Sequence, residues 1–103
     1  MVDYSKTLTE EELKVQPDFE AAVDNVTQLP QKPTDGEKLE LYGLFKQVTV
    51  GDNTTDAPTG MFDFAGKAKW KAWNENKGKS TVEAMNAYVE LVKKLEDKYG
   101  ASN

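Results

Sequence analysis

The sequence predicts an all-α protein, a bundle of four helices. Three observations lead there. Apolar residues recur every three or four positions in four separate stretches, the spacing that lines one face of a helix. Residues that start and stop helices bracket each stretch. No stretch alternates apolar and polar residues as a half-buried strand would.

The first helix is expected to follow Pro17, because proline suits the first helical position. Phe19, Ala22, Val23, Val26 and Leu29 then share one stripe, and Pro30 and Pro33 block continuation. Upstream, Thr9-Glu10-Glu11-Glu12 has the form of a capping box. Two readings of residues 1–16 stay open: a short extra helical turn, or a loose N-terminal extension to a domain spanning 17–103.

The second helix opens at Thr34, with Glu37 completing a capping box. Leu41, Leu44, Phe45 and Val48 make its core stripe. Leu39, Tyr42 and Lys46 lie on a neighbouring stripe, which puts a phenol and an ammonium one turn apart. A long connection follows, from Gly51 to about Asp63, and loops of that length in small domains tend to carry function. The third helix runs from about Phe64 to Lys77, with Trp70 and Trp73 three residues apart, and Gly78 ends it. The fourth starts at the Ser80–Glu83 capping box, repeats through Met85, Tyr88, Val92, Leu95 and Tyr99, and closes on Gly100.

Composition narrows the function. The chain of 103 residues is one domain with a modest core. It has neither cysteine nor histidine, which removes disulfides, thiolate chemistry, the common zinc sites and histidine-based acid–base catalysis. A net charge of −5 disfavours nucleic acid as a partner. No membrane-spanning run or secretory leader is visible, so a cytoplasmic monomer is expected. Paired acids such as Glu10/Glu11 and Glu96/Asp97 lie in highly charged stretches where nothing raises a carboxyl pKa, so no enzyme activity is expected. The loop stretch Asp52–Asp56 lacks the spacing of a calcium site. Asn53-Thr54-Thr55 is a glycosylation sequon, expected to go unread without a leader.

Against this acidic background, Lys67, Lys69, Lys71, Lys77 and Lys79 gather around two tryptophans. All 13 basic residues are lysine, so any phosphate would meet ammonium point charges rather than guanidinium forks. A lysine run is commonly a solvated helix face, and tryptophans between helices are commonly core. Tyr42 with Lys46 fits that reading less well, since both lie off the main apolar stripe. A phosphorylated aromatic ligand suits the pair, although spacing alone does not bring Lys69 or Tyr88 beside them.

The stretch "KQVTVGDNTTDAPTGMFDFAGKAKWKAWNENKGKS", together with "LPQKPTDGEKLELYGLFKQ" and "AYVELVKKLEDKYG", resembles the acyl-CoA-binding protein family. The resemblance covers about residues 17 to 100. It implies an up-down-down-up four-helix bundle and a long-chain acyl-CoA ester as ligand, with no cofactor. It also implies that Tyr42, Lys46 and Lys69 serve the adenine and 3′-phosphate, and that Tyr88 lies at the nucleotide end. Gly43, Leu44 and Phe45 belong to the same binding segment. Acyl-CoA-using enzymes or membranes are implied as transient partners.

The chain departs from the family pattern in four places. Phe45 stands at an often-tyrosine position, Thr27 and Ala65 replace common lysines, and Thr59 lengthens the loop. The two missing lysines are expected to weaken electrostatic attraction by ~1–2 kcal/mol in total. Those departures keep a second reading open: a helical protein- or membrane-interaction module with a degraded ligand site.

Overall fold

The structure, a computed structural model, describes residues 9–100. Four helices make up the regular structure of these residues: α1 (Glu10–Val26), α2 (Asp35–Thr49), α3 (Phe64–Asn74) and α4 (Thr81–Tyr99). The packing order is α1 on α4, α4 on α2 and α2 on α3.

Side-chain contacts give the directions. Phe19 of α1 meets Tyr88 of α4, and a Cβ on Gly100 would sit 3.7 Å from the ring of Pro30, so α1 and α4 run parallel. Lys98 at the end of α4 reaches Glu37 at the start of α2, so that pair is antiparallel. Lys69 faces Tyr42 and Trp73 faces Lys46, which makes α2 and α3 parallel. The sense is up-down-down-up, and the long 50–63 connection is what a parallel pair of neighbours needs.

Local chemistry explains the element ends. Thr34 and Ser80 each accept a hydrogen bond from the backbone N–H three residues on, while the Glu37 and Glu83 carboxylates accept one from the cap N–H. Gly100 closes α4 at φ 93, the left-handed region that glycine enters without a Cβ clash.

Two element ends differ from expectation. The first helix does not start at Pro17; it starts at Glu10 and carries Pro17 inside. Thr9 accepts from the Glu12 N–H, and Glu10, Glu11 and Glu12 place negative charge at the positive end of the helix dipole. The proline removes one bond, to the carbonyl of Leu13, a residue 53% exposed whose carbonyl water can serve. Residues 1–8 of the expected extension lie outside the described residues.

The third helix stops at Asn74 rather than near Lys77. Beyond it, the N–H groups of Asn76, Lys77 and Lys79 bond carbonyls three residues back. The Gly78 N–H leaves the helical ladder altogether for the Asp52 carboxylate.

The core forms where α1, α2 and α4 meet. Phe19, Ala22, Leu41, Leu44, Val48, Ala84, Met85, Tyr88, Val92 and Leu95 are buried there, with Val15 and Phe45 packed against it. Deep burial of large side chains is worth roughly 1.5–3 kcal/mol each. The α3 helix contributes one buried residue, Trp73.

Candidate functional site

The two parallel helices α2 and α3 approach closely because of Gly43. A Cβ there would collide with the carbonyl oxygen of Ala72. With the backbones this close, the flanking side chains overlap. The Lys69 ammonium lies 5.7 Å from the centre of the Tyr42 ring, and the Lys46 ammonium lies 4.8 Å from the centre of the Trp73 ring. Each pair spans both helices, so one surface strip carries a phenol, an indole and two cations. Tyr42 and Lys46 are half-buried and Lys69 is exposed.

Loop 50–63 is tied back beside this strip by polar bonds. The Trp73 indole N–H donates to the carbonyl of Gly51 at 2.8 Å, and that of Trp70 donates to the carbonyl of Thr55 at 3.0 Å. Buried Gln47 donates to Asp52 and to the Lys79 carbonyl. The Gly78 N–H and the Gln47 amide hold the Asp52 carboxyl below the usual carboxylate range. Asn53, only 1% exposed, donates to the Trp70 carbonyl and accepts from both the N–H and the hydroxyl of Thr55.

Phe45 and Tyr88 come together elsewhere. With Phe19 they form an aromatic trio at the α1–α2–α4 junction, with ring centres 5.1 to 6.5 Å apart. Burial pushes the Tyr88 phenol up to about 12, so it stays protonated at neutral pH. Along α2, Phe45, Tyr42 and Lys46 lie within one turn of each other, which joins the trio to the cation–aromatic strip.

The structure therefore brings Tyr42, Lys46 and Lys69 to one surface and sets Phe45 and Tyr88 beside it. Gly43 makes the close contact with α3 beneath the strip, and Leu44 faces the core and the neighbouring groove. Spacing alone did not find Trp73 as the seat of Lys46, nor Gln47, Asp52 and Asn53 as the loop anchors. The only signal for Gln47, Asp52 and Asn53 was the register of "KQVTVGDN" within the family resemblance.

An open groove of about 840 Å³ lies on another side of α2, between α3 and α4. Leu39, Leu44, Ala68, Ala72, Ala87 and Leu91 give it apolar walls. It contains none of Tyr42, Lys46, Lys69 or Tyr88, yet Leu39 shares the helical stripe of Tyr42 and Lys46, so groove and strip meet along α2. Among the described residues, no cluster of acids could hold a metal ion. No helix among them is long and apolar enough to cross a membrane.

The family model for Acyl CoA binding protein matches residues 16–92. The chain belongs to this family. It is 57% identical over 83 residues to acyl-CoA-binding protein homolog 1 of Caenorhabditis elegans, covering 81% of this chain and 95% of that protein. It is 51% identical over 81 residues to the Drosophila melanogaster acyl-CoA-binding protein homolog, covering 79% and 93%. The crystal structure of Oryza sativa acyl-CoA-binding protein 2 superposes with a TM-score of 0.75 at 42% identity, over 82% of this chain and 92% of that one. The acyl-CoA-binding protein of Moniliophthora perniciosa superposes at 0.74, also at 42% identity, over 82% of each chain. The bundle is that of the acyl-CoA-binding protein family.

Proposed function

We propose that the protein binds long-chain fatty acyl-CoA esters non-covalently and acts as a cytoplasmic, monomeric carrier and buffer of the acyl-CoA pool, without catalysing a reaction. The observation that carries this reading is the α2–α3 strip. In a chain of this family, Tyr42, Lys46 and Lys69 converge on one surface, with an indole beneath one cation and a phenol beneath the other. An adenine ring suits the aromatic faces and a phosphate suits the ammonium groups. The segment 17–103 carries this site, with 1–16 as an extension to it.

Magnitudes divide the work between the two ends of the ligand. Each methylene removed from water is worth about 0.8 kcal/mol, so a sixteen-carbon tail offers on the order of 11 kcal/mol if fully buried. Exposed lysine–phosphate contacts give about 1 kcal/mol or less each. Association itself costs several kcal/mol. The tail supplies most of the affinity, while the strip selects a CoA ester over a free fatty acid. Leu39 connects the strip to the apolar groove, which makes that groove the expected place for the tail. Transient handover to acyl-CoA-using enzymes or to membranes completes the role.

Calorimetry with palmitoyl-CoA, CoA and palmitate tests the reading. One-to-one binding to the ester, with weaker binding to either half, is the expected result. Lys46→Ala and Lys69→Ala should each lower affinity about fivefold with the helical signal intact. No binding to the ester would favour the interaction-module reading, and release of free CoA during incubation would revive catalysis.

A further inference from the structure

Three of the most exposed large apolar residues among those described are neighbours in sequence. Met61 is 75% exposed, Phe62 80% and Phe64 71%. Contiguous apolar exposure of this kind marks an interaction site more often than scattered surface residues do.

The backbone holds these side chains outward. The Asp63 N–H donates to the Gly60 carbonyl at 3.2 Å, closing a turn with Met61 and Phe62 at its two corners. The Asp63 carboxylate then accepts from the Gly66 N–H at 3.0 Å and caps α3, which fixes Phe64 as the first helical residue. The rings of Phe62 and Phe64 meet edge to face, 6.5 Å between centres. The tip is a built projection, with an aromatic pair at its end.

Charge says what it would enter. Lys67 and Lys71 follow Phe64 by three and seven residues, so they share its helix face, and both are exposed. From Met61 to Lys71 three lysines stand against one acid, Asp63, in a chain of net charge −5. The negative charge of Asp63 is spent on the α3 N-terminus. A convex aromatic–methionine tip flanked by lysines is the pattern of a segment lying in a bilayer interface, with rings among the acyl chains and ammonium groups at the phosphates. A protein partner would need a matching concavity, whereas a lipid surface accepts a protrusion.

We propose that Met61, Phe62 and Phe64, flanked by Lys67 and Lys71, form a docking tip for anionic phospholipid surfaces. This goes beyond ligand binding: Met61, Phe62, Phe64 and Lys67 belong neither to the α2–α3 strip nor to the groove, whereas Lys71 also lines the groove.

The test is flotation of the full, ligand-free chain with phosphatidylcholine vesicles, with and without phosphatidylserine. Binding should appear with phosphatidylserine and weaken as salt is raised. The double variant Phe62→Asp/Phe64→Asp should lower the partition coefficient by about tenfold or more, and Lys67→Glu should lower it by a smaller factor. Both variants should retain wild-type helicity and wild-type affinity for palmitoyl-CoA in solution. Failure of the wild-type chain to float on either vesicle would overturn the proposal and leave a protein as the occupant of the tip. Undiminished flotation of the double variant would overturn it equally. Loss of palmitoyl-CoA binding in the wild type would count against the proposed function without touching this one.

Discussion

The α1–α4 pair and the α2–α3 pair are held by different forces. Parallel helices α1 and α4 meet through Phe19, Ala22, Tyr88, Val92 and Leu95, all buried. Parallel helices α2 and α3 meet through a glycine backbone contact, two cation–aromatic pairs and a set of hydrogen bonds that run through loop 50–63. The first pair excludes water and supports the fold. The second keeps the Lys69 ammonium exposed and Lys46 half-buried, where a charged ligand can exchange for the contacts these lysines already make. The proposed ligand site lies on the side with the smaller apolar core, because ammonium groups such as those of Lys46 and Lys69 are costly to bury unpaired.

If this division is right, truncation on the α1–α4 side should cost most. Phe19→Ala removes a side chain with no exposed area from the centre of the aromatic trio. It should lower unfolding stability by about 3–5 kcal/mol, read as a shift in the urea midpoint. Gly43→Ala tests the other interface by forcing α2 and α3 apart. A loss of roughly 1–3 kcal/mol is expected, with weaker palmitoyl-CoA binding as Lys46 and Lys69 lose their register. Asp52→Ala removes the acceptor shared by Gln47 and the Gly78 N–H. That should cost ~1–2 kcal/mol and leave the core unchanged, so near-UV signals from Trp73 should move before global unfolding. A cost for Asp52→Ala equal to that for Phe19→Ala would erase the contrast between the two pairs.

The smallest effect concerns the clasp between α4 and α2. The Lys98 ammonium, the Thr34 N–H and the Tyr99 hydroxyl lower the Glu37 carboxyl from 4.5 to about 2. A carboxyl depressed in the folded state adds stability above its unfolded pKa and loses it as pH falls through the folded value. Acid titration from pH 4.5 to about 2 should therefore erode stability in the native protein. In Glu37→Gln that part of the slope should be absent.

Much of the fold was legible because its signals are local. The Thr34–Glu37 and Ser80–Glu83 boxes satisfy backbone groups three residues away, and the structure has both. The start of α1 was misjudged because proline at a first helical position competes with a threonine cap followed by three acids, and here the cap wins. The end of α3 was misjudged because the Gly78 N–H bonds a carboxylate from a distant loop. Tyr42 and Lys46 were readable as neighbours from helical period alone. Their pairing with Lys69 and Trp73 was not, since it depends on how closely Gly43 lets two helices approach. Trp70 and Trp73 pin the loop through backbone carbonyls of Gly51 and Thr55, and carbonyl positions leave no mark on residue type.

The burial of Asn53 also constrains where this chain can mature. Asn53-Thr54-Thr55 reads as an acceptor for a sugar, but its amide is enclosed, bonded to the Trp70 carbonyl and to Thr55. A glycan on that nitrogen would leave no room for the loop to close on α3. Closure of the loop on α3 and glycosylation at Asn53 therefore compete for the same amide nitrogen. A chain modified there before folding would keep its sequence and lose the bond that ties the loop to the Trp70 carbonyl.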